Sequence, residues 1–287
     1  MAVALITGTS TGIGQSTALR LARDGYEVYA SMRNTAAGTP LLEAKAAEDL
    51  AIQVIELDVS DAASCERAVA EITGQAGRID VLVNNAGIGG GGAIEETSDS
   101  AWQATFDTNF FGAMRLTRLV LPGMRERREG AIVNVTSVAG RMATSPQGDY
   151  AASKFALEAA SEILAQEMFR FGIRVALIEP GVILTPIFAK ATLEIDETSP
   201  YLDFTQRIGR IFQSRLQDPG SPELVADVIS EALSTDQPKL RYPVGDDAHS
   251  WITGRAKLSD EEWIATGREM TLDEFAADHL ETFGIEI

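Results

Sequence analysis

Short apolar runs alternate with longer stretches of helical periodicity almost from the first residue to Gly245. The first run, Ala2 to Thr7, is apolar at nearly every position, as a strand buried from both sides must be. Similar runs return at Glu27 to Met32, Ile52 to Leu57, Asp80 to Asn84, Ala131 to Val135, Ile173 to Ile178 and Leu240 to Val244. Between them lie helical patterns: Gln15 to Arg23, Leu41 to Leu50, Cys65 to Thr73, Ala101 to Leu121, Tyr150 to about Phe171, and Leu224 to Leu233. Pro122-Gly123 reads as the stop of the long fourth helix. Strands that alternate with helices predict an α/β fold: one Rossmann-type, doubly wound domain with a seven-stranded parallel sheet and helices on both faces. No shift in composition divides residues 1–246, which read as one domain, with 186–220 fitting no strand and only broken helices, and 247–287 as an acidic C-terminal extension.

In such a sheet, ligands gather beyond the carboxyl ends of the strands. The residues there are suggestive. Gly8, Ser10, Thr11, Gly12, Ile13 and Gly14 follow the first strand, Arg33 the second, and Asp58 and Val59 the third. Asn85-Ala86-Gly87 follow the fourth, Ser137 the fifth, and Pro180-Gly181 the sixth. Strand, glycine turn, helix is the context in which backbone N–H groups at a helix start meet a pyrophosphate. The spacing is G-x3-G-x-G, not the G-x-G-x-x-G of the commonest dinucleotide turn.

Tyr150 and Lys154 add acid–base chemistry. Four residues turn a helix through about 400°, so both project from one face. Good helix formers follow, with no Gly or Pro until Gly172, and Pro146, Gly148 and Asp149 supply turn and cap chemistry upstream. A nearby ammonium favours the phenolate, which would let a tyrosine exchange a proton near neutral pH.

These motifs together resemble the short-chain dehydrogenase/reductase family over about residues 3 to 245. The likeness rests on Thr7-Gly8-x3-Gly12-Ile13-Gly14, Asn84-Asn85-Ala86-Gly87, Asn109, Ser137, Tyr150-x3-Lys154 and Pro180-Gly181-x3-Thr185, all in the family's order. Asn109-Phe110-Phe111-Gly112 and Arg241-Tyr242-Pro243-Val244-Gly245 are similar to the branch holding 17β-hydroxysteroid and retinol-type dehydrogenases. The resemblance implies a catalytic set of Asn109, Ser137, Tyr150 and Lys154. Tyr150 would be acid in reduction and base in oxidation. Lys154 would bind nicotinamide ribose and bias the tyrosine toward phenolate. Ser137 would orient the carbonyl, and Asn109 would hold a water that relays protons. Asp58 would meet the adenine amine, and Ile183 and Thr185 the carboxamide. Thr136 is assigned a structural role. Strand two ends in Met32-Arg33 with no acid for the adenosine ribose, so NADP(H) is favoured, with NAD(H) possible because Ser10 and Thr11 bring no second cation. The implied assembly is a homodimer or homotetramer.

Composition narrows the remaining classes. A net charge of −18 without a basic block argues against nucleic acid or an anionic membrane surface. One cysteine, Cys65, excludes an intrachain disulfide, and His249 and His279 are too few and too peripheral for a metal site. Met1-Ala2-Val3 runs into a strand without a basic leader, and no window of about 18 apolar residues exists, so a cytoplasmic protein is expected. The segment 186–220, which the resemblance implies is a lid over the substrate, carries Ile187, Phe188, Leu193, Ile195, Tyr201, Leu202, Phe204, Ile208, Ile211, Phe212 and Leu216. With Met142 and the Gly89-to-Gly92 loop as further walls, it points to a small hydrophobic carbonyl or alcohol, steroid-like or aryl. Ser259 and Thr271 read as helix caps in the extension, whose role the sequence leaves open between subunit contact, lid flap and solvated tail. Two rivals remain: an NAD-dependent alcohol dehydrogenase acting oxidatively on a non-steroid, and a nucleotide-sensing scaffold without turnover.

Overall fold

Successive side chains along a strand face opposite ways, so an all-apolar run feeds two cores at once. In the computed structural model, which describes residues 1–186 and 196–287, β1 (Val3–Thr7) sends Ala4 and Ile6 to one core and Val3 and Leu5 to the other. It leads into α1 (Gly12–Arg23). β2 (Glu27–Met32) precedes α2 (Thr39–Glu48), and β3 (Ile52–Glu56) precedes α3 (Ala62–Ala76). β4 (Val81–Asn84) is followed by α4 (Asp99–Phe106) and α5 (Gly112–Arg127), and β5 (Gly130–Val135) by α6 (Gly148–Phe169). After β6 (Ile173–Pro180) come α7 (Leu202–Arg215) and α8 (Pro222–Ser234), and β7 (Arg241–Val244) ends the sheet. Three further helices, α9 (Asp246–Arg255), α10 (Asp260–Ala265) and α11 (Leu272–Phe283), make up the extension.

The sheet has seven strands in the order β3-β2-β1-β4-β5-β6-β7, every pair parallel. The predicted doubly wound architecture is therefore present. Its direction of winding reverses between β1 and β4, which opens the crevice at their carboxyl ends.

Helix boundaries depart from the sequence reading in instructive places. Pro122-Gly123 does not end the long helix; α5 continues to Arg127. Pro122 lies on the solvent side, while Val120 and Met124 on either side of it are buried, and that anchorage outweighs one missing N–H. The same long helix is interrupted earlier, by a π turn over Asp107–Phe111 that contains Asn109. α3 starts at Ala62, not Cys65, because Asp61 accepts the N–H of Ala63 as a cap. Asp149 does not cap α6. Gln147 holds that position, and the Asp149 carboxylate is buried, accepting the Thr105 hydroxyl at 2.7 Å.

The extension is no solvated tail. Trp251 and Ile285 join Met142, Val182, Ile208 and Ile211 in a third core beneath α7. The predicted caps Ser259 and Thr271 both form full capping boxes. His279, expected at the periphery, is buried within this cluster. Ile187, Phe188, Leu193 and Ile195 of the predicted lid lie outside the described residues. No helix among the described residues is long and apolar enough to cross a membrane.

Candidate active site

The turn after β1 is shaped by what it must touch. Gly12 adopts φ +61°, and a side chain there would stand 3.0 Å from the Thr185 methyl. Gly14 leaves no room for a Cβ against the Gly8 carbonyl and the Asn85 amide. Asn85 in turn ties the turn to β4, donating to the carbonyls of Thr7 at 2.8 Å and Gly8 at 3.2 Å. The Thr7 hydroxyl receives the N–H groups of Asn85 and Ala86, each at 2.9 Å. Thr11 precedes α1 without a side-chain cap, and the first turn holds no acid. The start of α1 thus keeps its N–H groups and partial positive charge for an anion.

One long cleft runs along the strand ends from Arg33 and Asp58, past the glycine turn, to Lys154 and Tyr150. Gly8, Ser10, Thr11, Gly12, Ile13, Val59, Asn85, Ala86, Gly87, Pro180, Gly181, Ile183 and Thr185 all line it. Gly14 and Asn109 stand one layer behind. Burial pushes the Asp58 carboxyl up, but bonds from the Ser60 hydroxyl and backbone, with the Arg33 charge, hold it below its ordinary value. Arg33 is exposed at the cleft's outer end beside buried Met32.

At the inner end, Lys154 Nζ donates to the Val135 carbonyl at 3.1 Å and sits 5.7 Å from the centre of the Tyr150 ring. Burial lowers the Lys154 pKa from 10.5 to about 8, with Glu158 acting the other way. The Tyr150 phenol is raised, chiefly by burial, and only the Ser137 hydrogen bond opposes this. The expected pull of Lys154 toward phenolate is therefore not what this geometry gives: the phenol is held protonated. Ser137 Oγ accepts the Ala139 N–H at 3.1 Å, which fixes it over the start of a short turn. Thr136 bonds the Ile178 carbonyl at 3.0 Å, a structural contact.

Asn109 is fully engaged. Its carbonyl accepts the Ile88 N–H at 2.8 Å, and its amide donates to Ile88 O at 3.1 Å and Ser153 Oγ at 3.2 Å. The side chain thus pins the loop after Gly87 against α6, and any water it holds must use its backbone.

A second cavity opens from the first. It is lined by Gly89, Gly90, Gly91, Met142, Ile208, Ile211 and Phe212, as the lid reading anticipates, and by Val138, Ala139, Thr144, Gln147, Val182 and Trp251, which it does not. The two cavities share Gly89, Ser137, Tyr150 and Gly181. The glycine loop is held in place: Gly92 N–H bonds the Pro146 carbonyl at 2.6 Å. Trp251 escaped the sequence reading because a single tryptophan in a polar helix does not reveal what lies across from it. Among the described residues no cluster of three or more His, Cys, Asp or Glu is placed to hold a metal ion.

A family model described as short chain dehydrogenase matches residues 2–196. The chain belongs to the short-chain dehydrogenase/reductase family. This short-chain dehydrogenase/reductase is 41% identical to retinol dehydrogenase 8 of Bos taurus over 254 residues, which covers 83% of this chain and 79% of that protein. It is 37% identical to 17-beta-hydroxysteroid dehydrogenase type 1 of Mus musculus over 252 residues, 84% of this chain and 72% of the other. Among solved structures, a short-chain dehydrogenase from Streptomyces avermitilis superposes with a TM-score of 0.80 at 36% identity, covering 94% and 99% of the two chains. An actinorhodin polyketide ketoreductase with NADPH gives 0.74 at 30% identity, covering 84% and 95%. The likeness to the steroid and retinol branch drawn from Asn109-Phe110-Phe111-Gly112 is thus upheld, and the protein is an oxidoreductase of that family.

Proposed function

We propose that this oxidoreductase interconverts a ketone and a secondary alcohol on a bulky hydrophobic substrate, steroid-like or aryl, with NADP(H) as the hydride partner. The observation that carries the reading is the meeting of two cavities at Ser137 and Tyr150. One is a long cleft with an open helix start and a cation at its far end. The other has walls that are mostly aliphatic or aromatic.

Bound NADP(H) supplies or receives hydride at its nicotinamide ring. Gly12 and the α1 start fit its pyrophosphate, and Arg33, with no acid at the end of β2, fits a 2′-phosphate. Tyr150, kept protonated by burial, gives its proton to the carbonyl oxygen in reduction and takes one back in oxidation. Ser137 offers its hydroxyl to the same oxygen as charge develops there. Lys154, poised near pH 8, reloads the phenol. Ser10 and Thr11 bring no second cation, the one feature favouring an NAD-dependent alcohol dehydrogenase instead.

We further infer a homo-oligomer. On α6, Phe155, Ile163 and Phe169 are 41%, 57% and 86% exposed, an apolar stripe that a second copy would cover. Sedimentation showing only monomer at micromolar concentration removes this part.

The deciding experiment compares NADPH and NADH over ketones from hydrophilic sugars to steroid-like and aryl compounds. Turnover with NADPH on the bulky members is expected. Tyr150→Phe should lower kcat by roughly 100-fold or more. Activity confined to sugars, or an unimpaired Phe variant, overturns the reading.

A further inference from the structure

The extension contributes to the substrate cavity in a way that the acid–base machinery does not require. Trp251, on α9, is 4% exposed and belongs to the wall that also holds Tyr150, Met142 and Ile211. Its indole Nε1 donates to His279 Nε2 at 3.0 Å. For Nε2 to accept, the imidazole must be neutral with its proton on Nδ1. Burial accounts for that: the His279 pKa falls from 6.5 to about 4, with Arg215 a smaller contributor.

His279 is itself held from both sides. Its ring centre lies 4.7 Å from Phe283 and 5.9 Å from Phe275, one helical turn either way along α11. Gly254 has no space for a side chain against Phe283, so α9 and the end of α11 are in close contact. At the other end of α9, the Asp247 carboxylate accepts the Val182 N–H at 2.8 Å, and Val182 lines the same cavity. The indole is therefore bonded to His279, and the helix that carries it is held near both ends, by contacts that do not involve Ser137, Tyr150 or Lys154.

We propose that Trp251 sets the size and shape of the hydrophobic ketone this enzyme accepts, and that His279 is the positioning residue that holds its indole. The proposal rests on the ketone reading above and adds a residue pair to it. A planar indole presents a flat apolar face, which suits a rigid ring system better than a flexible chain. If His279 loses its acceptor, a buried indole N–H is left without a partner, a loss the ring escapes by turning.

The test measures kcat and KM for a graded series of aryl and polycyclic ketones with Trp251→Ala, Trp251→Phe, His279→Leu and His279→Gln. Trp251→Ala should raise KM for the best wild-type ketone by roughly 10-fold or more and improve the ranking of larger ones, with KM for NADPH unchanged. His279→Leu should shift the ranking in the same direction, and His279→Gln, which keeps an acceptor, should restore it. A uniform loss across the series, or a Leu and Gln pair that behave alike, overturns the proposal. An inactive wild type would instead fail the ketone reading, and a second readout then applies. Energy transfer from tryptophan to bound 1-anilinonaphthalene-8-sulfonate should drop in Trp251→Phe, and unchanged transfer overturns the placement of Trp251 on the binding wall.

Discussion

Lys154 makes the inner end of the cleft sensitive to pH through its own burial. Its pKa in the folded chain is about 8 against 10.5 in the ordinary state. Between those values the unfolded chain binds more protons than the folded one, so stability rises with pH across this window. Below pH 8 the desolvation penalty is present in full; above 10.5 it is gone. Relative to Lys154→Met, the wild type should gain about 2 kcal/mol between pH 7.5 and 9.5, at roughly 1.4 kcal/mol per unit. Urea unfolding of both proteins at the two pH values measures this, and a wild type that loses ground at pH 9.5 refutes it. That Lys154, Tyr150 and Ser137 share one end of a cleft was legible in the sequence, through the resemblance that their motifs and order carry. What Asp149 and His279 do was not. Each reads as an ordinary polar residue until Thr105 or Trp251 is found opposite. The direction of the Tyr150 shift was equally hidden, since it depends on how much water the fold excludes.

At the scale of elements, the alternation of runs located every strand: inner runs such as β1 feed both faces of the sheet, and even edge β7 buries Tyr242 and Val244 in one core. Stops were harder. The Pro122 prediction applied a local rule where the burial of Met124 decides the outcome. The attachment of the extension was invisible for a related reason: its anchors are a few long-range contacts. Arg207 is one of these. It is 4% exposed, donates to the carbonyls of Thr266 at 3.3 Å and Arg268 at 3.0 Å, and pairs with Asp203 at 2.8 Å. Its guanidinium also lies 5.0 Å from the Phe204 ring centre and 5.7 Å from that of Phe275, one on α7 and one on α11. Arg207→Ala removes the pairing and leaves two inward carbonyls without a donor, a loss of about 2–4 kcal/mol. Limited proteolysis should then cut between α10 and α11 much faster than in the wild type, while the core of the sheet resists. Equal digestion rates would mean that the apolar cluster alone retains the extension.

For the whole molecule, the cleft joins the two halves of a sheet whose strands otherwise share only the β1–β4 ladder at the centre. A ligand spanning it from Arg33 to Tyr150 contacts loops from both halves and binds only the folded chain. At a concentration about 100 times its Kd, such a ligand adds about 2.7 kcal/mol to stability. For a chain of this size that raises Tm by on the order of 5 °C. In the proposed cofactor reading the Arg33 charge meets a phosphate on the adenosine ribose, so NADPH should raise Tm more than NADH at equal concentration. Arg33→Ala should erase the difference by lowering the NADPH response to the NADH level, with the NADH response unchanged. In the same reading Met32 stands where an acid would select NADH. Met32→Asp should reverse the order, because a carboxylate there bonds ribose hydroxyls and repels phosphate. Differential scanning of the three proteins with each dinucleotide reads all of this without a substrate. If NADH stabilises the wild type more than NADPH does, Arg33 is an ordinary surface charge and the cofactor preference is the reverse of the one proposed.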